Sequence, residues 1–150
     1  MKKLRNNFTI MILAIMALFT VGACELETSD AGRLTGFWQL RTLDSLSTGR
    51  STDMRPFGVA WSFQSTIMQV QSYQVDNFIY LSYEHNSDRL RVYAPLRADR
   101  KLGDDVPLQT TDTLHMMGIP AIETVFTVKE LSGSTMVLQT DSLRLQFRKY

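Results

Sequence analysis

Few side chains in this sequence have the type and spacing that chemistry requires. Cys24 is the only cysteine, and the two histidines, His85 and His115, are 30 positions apart without the spacing of a zinc or copper site. Asp104 and Asp105 are adjacent, so their side chains diverge, and two carboxylates offer too few oxygen ligands for calcium. The serines form no Gly-x-Ser-x-Gly motif. We therefore expect no metal site, no cofactor and no enzymatic activity.

Cys24 follows a stretch that has the composition of a secretory leader. Basic residues come at positions 2, 3 and 5, and an uncharged apolar run follows from residue 8 to residue 23. The run has 16 residues, fewer than the roughly 20 that span a bilayer as a helix. A basic start, a short apolar core and small residues before a cleavage point are typical of a signal peptide. We predict that residues 1–23 are one.

The tetrapeptide Val21-Gly22-Ala23-Cys24 resembles the lipobox of bacterial lipoproteins. The resemblance implies that the Cys24 thiol receives a diacylglyceryl group, that the chain is cut before it, and that the new amine is acylated with a chain such as palmitate. Two or more acyl chains anchor a protein stably on a membrane, whereas one does not. The alternatives are an ordinary signal peptide with a free cysteine near its end, and an uncleaved anchor.

Residues 24–33 are short, polar and acidic, which is typical of a flexible tether between a lipid and a domain. Acidic residues directly after a lipidated cysteine also resemble the export signal of surface lipoproteins in some Gram-negative gut bacteria. The alternative is a solvated spacer with no sorting role. We expect an outer-membrane lipoprotein that faces either the periplasm or the cell surface.

Size and charge limit the rest of the chain to one domain that does not bind nucleic acid. Removing residues 1–23 from the 150-residue chain leaves 127, enough for a single domain. Three of the 16 basic residues leave with the signal, but none of the 15 acidic ones does, so the net charge becomes −2. Nucleic-acid binding needs clustered positive charge, which this balance disfavours.

Alternation of apolar and polar residues predicts eight strands in the domain, which we assign to residues 34–150. The predicted strands are 36–43, 58–64, 67–74, 78–84, 89–94, 122–130, 135–140 and 143–150. We expect Pro95 to end the fifth strand because proline cannot donate to the ladder. Sequential antiparallel strands with one buried face close into a barrel or stack as a sandwich. We predict an all-β, eight-stranded antiparallel up-and-down barrel, with a β-sandwich as the alternative.

The segment 95–121 is the least regular part of the domain because glycines and prolines interrupt it. Asp112 is placed to cap a short helical turn that Gly118 would end. Leu114 and Met117 in this turn would then plug one end of the barrel. The alternative is a working lid over a binding site, since long irregular loops often serve that purpose. We favour the plug.

Residues 34–38 read Leu-Thr-Gly-Phe-Trp, which resembles the Gly-x-Trp opening of lipocalins. The second tryptophan, the size and the lipobox make the chain most similar to small lipocalin-like lipoproteins of Gram-negative gut bacteria. The resemblance implies a barrel over residues 34–150 in which a basic residue of the last strand packs across Trp38. Arg148 is the candidate, so Gly36, Trp38 and Arg148 are expected to be structural. The lone cysteine excludes the disulfide that secreted lipocalins often have.

Five aromatic residues cluster in the second and fourth predicted strands, namely Trp61, Phe63, Phe78, Tyr80 and Tyr83. Such a cluster suits a cavity for an apolar ligand, and the alternative is simple filling of the core. We therefore predict a lipid-anchored envelope protein that binds a small apolar molecule at the open end of the barrel, beneath the segment 95–121. The alternative is an accessory or structural lipoprotein that docks to an envelope protein complex without a ligand.

Overall fold

The computed structural model describes residues 32–99 and 103–150. The predicted signal peptide, Cys24 and the predicted tether up to residue 31 lie outside the described residues. Within the described ranges no helix is long and apolar enough to cross a membrane.

Antiparallel strands make up most of the described chain. The strands are β1 Gly36–Ser45, β2 Ser51–Asp53, β3 Ala60–Gln64, β4 Ile67–Ser72, β5 Val75–Asn86, β6 Arg89–Asp99, β7 Asp104–Pro107, β8 Thr124–Leu131, β9 Thr135–Gln139 and β10 Leu143–Lys149. An α-helix, α1, spans Asp112–Met116, and 3-10 helices span Gly32–Leu34 and Arg55–Phe57. All eight predicted strands are present, whereas the short β2 and β7 were not predicted.

Eight of the strands close into a barrel. Their order is β10-β9-β8-β6-β5-β4-β3-β1, and β10 pairs back onto β1 in an antiparallel register. In the described sheet, β2 pairs with β1 and β7 pairs with β6. Consecutive barrel strands are neighbours, so the predicted eight-stranded up-and-down barrel is confirmed and the β-sandwich alternative is wrong.

Period-two alternation places one face of each strand inside the barrel, as β1 and β10 illustrate. Trp38 and Leu40 are buried on β1, and Leu145 and Phe147 are buried on β10. The register pairs Leu40 with Phe147, so the apolar residues of the two strands meet on the same face. Burying these faces against one another is the main stabilising contribution to the fold.

The chain itself closes both ends of the barrel. At the end where β1 begins, which we call the tether end, Leu34 of the first 3-10 helix is fully buried and its carbonyl accepts a hydrogen bond of 2.8 Å from Trp38 Nε1. At the opposite end, which we call the plug end, Leu114 and Met117 are also fully buried. The plug interpretation of the segment 95–121 is therefore confirmed.

The predicted end of the fifth strand at Pro95 is wrong. β6 continues through Pro95 to Asp99, and Ala94 has a φ of 50°. The register with β5 shifts between Tyr80 and Ser82, so two residues of β6 oppose one residue of β5. Proline is tolerated at such a β-bulge, because its missing N–H removes no regular ladder bond there. The bulge redirects β6 and lets it continue into the hairpin with β7.

The helix within the segment 95–121 begins one residue earlier than a cap at Asp112 would allow. Thr111 is the N-cap residue, and its side chain makes no capping hydrogen bond. Asp112 is instead the first helical residue, where a carboxylate is favoured by the partial positive charge of the helix start. Gly118 ends the turn as predicted, with a φ of 85° and a 3.1 Å hydrogen bond to the His115 carbonyl.

Candidate functional site

Side chains fill the interior of the barrel. Trp61 lies in the centre, with its ring centroid 4.8 Å from that of Phe147 and 5.7 Å from that of Phe126. Its Nε1 donates a 3.1 Å hydrogen bond to the Met117 carbonyl, which ties the plug to the core. A side chain with 0% exposure borders no space large enough for a water molecule, either outside the barrel or in a cavity within it. These enclosed residues include Trp38, Leu40, Trp61, Met68, Val70, Leu90, Val92, Leu114, Met117, Phe126, Met136, Leu138 and Leu145.

The five aromatic residues predicted to line one cavity are divided between two faces of the sheet. Trp61, Phe63 and Tyr83 are buried in the filled core. Phe63 and Tyr83 pack edge to face, with centroids 5.1 Å apart. Phe78 and Tyr80 alternate with the buried residues of β5 and therefore point outward. The structure does not bring the five together, and the core-filling alternative describes the inner three.

The basic residue that covers Trp38 is Lys149 and not Arg148. Lys149 is the cross-strand partner of Trp38, and its Nζ lies 5.0 Å from the centroid of the Trp38 ring. Arg148 is paired with Gln39 and is exposed on the outer face. The predicted role is thus filled by the neighbouring residue, because adjacent residues of a strand point to opposite faces.

Gly36 is favoured by its backbone conformation and by the close approach of the same lysine. Its φ is 128°, a region that residues with a side chain rarely adopt. A Cβ atom at this position would lie 2.5 Å from Lys149 Cε, which is closer than atoms can pack. The structural roles expected for Gly36 and Trp38 therefore have a direct geometric basis.

A groove runs across the outer face of the barrel beside the β6–β7 hairpin, and we call it the outer groove. Its volume is about 710 Å³. Cross-strand pairs link Gln69 to Tyr80, and Tyr80 to Leu96, so these three side chains share one row of the outer surface. The lining residues are Ser62, Gln64, Ser65, Ile67, Gln69, Tyr80, Leu96, Ala98 and Asp105.

The bulge at Ala94 creates one wall of the outer groove. Beyond the bulge, Leu96 pairs with Tyr80 and Ala98 pairs with Asp105 of β7. Because a strand ended at Pro95 in the sequence interpretation, this wall was missed. The feature that could have indicated the groove lies on its opposite wall. There the apolar residue Ile67 is exposed, on a strand whose other face is buried.

Ion pairs elsewhere on the surface shift the pKa of several groups. The Glu123 and Glu84 carboxylates accept hydrogen bonds from Arg91 and raise its pKa, while Arg91 lowers the pKa of Glu123. Hydrogen bonds from Arg55 lower the pKa of Asp53 to about 2. These pairs are solvent-exposed and link neighbouring strand or turn residues, so they act as surface ties.

His85 is half-buried near the end of β5. Burial lowers its pKa, and its Nε2 atom is buried without a hydrogen-bond partner among the described residues. A backbone hydrogen bond at Ser87 opposes that shift. In the described part of the chain no three His, Cys, Asp or Glu side chains lie close enough to hold a metal ion.

The family model of the Lipocalin-like domain matches residues 17–150, which is most of the chain. The chain belongs to the lipocalin-like domain family. No curated protein sequence matches it.

Solved structures share the lipocalin-like fold of this chain. A lipocalin-like protein from Bacteroides uniformis ATCC 8492 aligns with a TM-score of 0.59 at 23% identity, over 79% of this chain and 100% of that one. An uncharacterized protein from Bacteroides eggerthii DSM 20697 aligns with a TM-score of 0.52 at 19% identity, over 78% and 99%. A protein from Burkholderia xenovorans aligns with a TM-score of 0.50 at 13% identity, over 81% and 88%. At these identities the likeness shows a common fold alone.

In this lipocalin-like barrel, open space with the volume of a typical ligand pocket lies on the outer surface. Tyr80 is the one predicted binding residue that lines the outer groove. The groove is a mixed surface in which Ile67, Leu96 and the Tyr80 ring are apolar and Gln69 carries an amide. Ligand sites generally combine an apolar lining with a few polar groups that fix orientation.

Proposed function

We propose that this lipocalin-like protein is a lipid-anchored protein of the cell envelope that binds a small, mainly apolar molecule in the outer groove. The observation that carries the proposal is the contrast between a filled barrel and an outer groove of about 710 Å³. That volume falls within the range of roughly 300–1,000 Å³ typical of ligand pockets. The proposal keeps the predicted ligand class and moves the site from the inside of the barrel to the outside.

The chemistry of the outer groove supports a ligand with one polar end. Ile67 is 51% exposed although it is a large apolar residue, so covering it with a ligand removes apolar surface from water. Gln64, Gln69 and Asp105 supply hydrogen-bonding groups among the apolar residues. A molecule with a hydrocarbon body and one hydrogen-bonding group matches this pattern.

The proposed anchor is the lipidated Cys24 on the outer membrane, facing the periplasm or the cell surface. The seven residues from Glu25 to Ala31 span at most about 25 Å when fully extended. The first 3-10 helix follows this tether and closes the tether end, so that end would lie close to the membrane. The outer groove on the side of the barrel would then be open to molecules at the membrane surface. No catalytic step is part of the proposal.

Native mass spectrometry of the protein extracted from its membrane tests the binding proposal. We expect an added mass from a bound molecule, and we expect Ile67→Asp to lower the occupied fraction about tenfold because it places a charge on the apolar wall. Val125→Asp is the matched control, since Val125 is 48% exposed on the outer face of β8 and lies outside the groove. A protein that carries no molecule, or one whose added mass survives Ile67→Asp, would contradict the proposal.

A docking function is the second candidate, and the hairpin of β6 and β7 favours it. β7 pairs with β6 within the described sheet, and its other edge has no strand partner there. A free strand edge can accept an extended segment of another protein by strand addition. The same mass spectra distinguish the two candidates, because docking predicts a protein-sized mass in place of a small one.

A further inference from the structure

A second depression, the aromatic cleft, lies on the outer face of β1, β3 and β4. Its volume is about 210 Å³, and its lining includes Phe37, Gln39, Gln71, Tyr73 and Tyr150. Tyr73 is 81% exposed and Tyr150 is 77% exposed. These are the highest exposed fractions of any large hydrophobic residue in the described part of the chain. The two tyrosines on this small cleft each keep part of the ring accessible to a ligand. Exposing this aromatic surface to water is unfavourable compared with burying it.

The protein holds Tyr73 in place while leaving it exposed. A Cβ atom at Gly58 would lie 2.4 Å from carbons of the Tyr73 ring, so the ring rests directly on the glycine backbone. Gly58 has a φ of 60°, a conformation that also favours glycine. The Tyr73 amide donates a 3.0 Å hydrogen bond to the Phe57 carbonyl and fixes the residue at its backbone. One face of the ring is thus backed by protein.

Tyr150 is held by three further contacts. Its ring centroid is 5.8 Å from that of Phe37, and its amide donates a 3.0 Å hydrogen bond to the Phe37 carbonyl. Its hydroxyl donates a 2.8 Å hydrogen bond to Gln39 Oε1. A ring fixed before binding loses little conformational freedom when a ligand arrives, which favours affinity.

Two glutamine amides beside the rings are oriented as donors. Gln39 Oε1 accepts hydrogen bonds from both Arg41 Nη1, at 2.6 Å, and the Tyr150 hydroxyl. These bonds use both lone pairs of that oxygen, so the amide nitrogen is the group left to contact a ligand. Gln71 Oε1 accepts a longer hydrogen bond of 3.4 Å from Gln69 Nε2, which orients its amide in the same sense.

We propose that the aromatic cleft binds one ring of an uncharged saccharide. The C–H groups on one face of a pyranose ring carry a slight positive charge and pack on the negative face of an aromatic ring. The ring hydroxyls accept hydrogen bonds from donors such as the amides of Gln39 and Gln71. None of the described side chains that line the cleft is charged, which favours a neutral ligand over an anionic one. The volume suits one sugar ring rather than a chain.

Saturation-transfer NMR on the full chain in lauryldimethylamine oxide micelles, a detergent without a sugar group, tests this proposal. The probes are methyl β-D-glucopyranoside, methyl β-D-galactopyranoside and methyl α-D-mannopyranoside. We expect transfer to at least one probe, strongest at the C–H protons of one ring face. Tyr73→Ala should weaken binding about tenfold, and the double variant with Tyr150→Ala should abolish it. Val125→Ala is the control and should leave saccharide binding unchanged, because Val125 is 48% exposed and lines neither the aromatic cleft nor the outer groove.

The absence of transfer to all three probes, or transfer that persists in the double variant, would overturn the proposal. Both tyrosines are largely exposed, so we expect both variants to keep the melting curve of the parent protein. Gln71→Ala provides a variant that leaves the rings in place and should also weaken binding. The mass added at the outer groove should survive the double variant, so the two proposed sites fail or succeed separately.

Discussion

Trp38 is anchored at the tether end by a hydrogen bond from its indole N–H and by a cation over one face of its ring. Its Nε1 donates to the Leu34 carbonyl at 2.8 Å, and Lys149 Nζ lies 5.0 Å from its ring centroid. Lys149 Nζ also donates a 3.4 Å hydrogen bond to the Arg33 carbonyl, which connects the last strand to the first 3-10 helix. One lysine thus joins three parts of the chain where the barrel closes.

Exchanging the two basic residues of β10 for alanine distinguishes their roles. We expect Lys149→Ala to lower the stability by about 1 kcal/mol, because it removes the cation–π contact and uncovers the Trp38 ring. Arg148→Ala should leave the melting temperature nearly unchanged, since that side chain is exposed on the outer face. Thermal unfolding followed by circular dichroism measures both. Equal losses in the two variants would contradict the assignment of Lys149.

At the scale of elements, the segment between β6 and β8 both closes the barrel and builds its outer surface. α1 and the residues after it insert Leu114, Met117 and Ile119, all fully buried, into the plug end. The bulge at Ala94 carries β6 past Pro95 and into the wall of the outer groove. The segment 95–121, which we predicted to plug the barrel, therefore joins the core on one side and the candidate site on the other.

The plug makes a measurable contribution to stability. Leu114→Ala should destabilise the protein by about 2–5 kcal/mol, because it leaves a cavity beneath the helix at a fully buried position. Met116→Ala on the same helix is the matched control, since Met116 is 44% exposed and its loss should cost less than about 1 kcal/mol. Chemical denaturation measures the difference. A Leu114→Ala variant as stable as Met116→Ala would mean that the helix does not close the barrel.

At the scale of the whole molecule, the proposed anchor and the barrel have different roles: the anchor would set the location, and the barrel carries the candidate sites. The filled barrel is a rigid support, and its outer face carries both the outer groove and the aromatic cleft. The two sites adjoin at Gln69, which lines the groove and donates a hydrogen bond to Gln71 of the cleft. A short tether would hold this surface close to the membrane.

The anchor proposal predicts a specific change in mass and location. Cells should process the parent chain by removing residues 1–23 and adding acyl chains to Cys24, and Cys24→Ser should block both steps because it removes the thiol. Ser29→Ala in the tether is the control and should be processed like the parent. Intact mass and membrane fractionation report the result. A Cys24→Ser protein that keeps the processed mass and stays with membranes would contradict lipidation.

Protease treatment of intact cells extends the same experiment to the membrane face. Cleavage of the domain would indicate the cell surface, whereas full protection would indicate the periplasm.

The sequence by itself determined the fold class and most of the strand positions. Period-two alternation is a local property, and burial of one face of each strand leaves few ways to arrange sequential antiparallel strands. The same alternation also indicates that Lys149, and not Arg148, shares a face with Trp38. Phe147 faces inward, and the residue two positions later points the same way. The local composition around Gly118 likewise indicated the short turn that plugs the barrel.

Only the tertiary structure decided whether the barrel is hollow and where a ligand finds room. Filling depends on side-chain volumes from distant strands, such as Trp61 against Phe126 and Phe147, and no local pattern reports their sum. The outer groove depends on a bulge whose register is set by the pairing of β5 with β6. The aromatic cleft contains residues that are far apart in the sequence, such as Phe37 and Tyr150. They are neighbours because closure of the barrel pairs the first strand with the last.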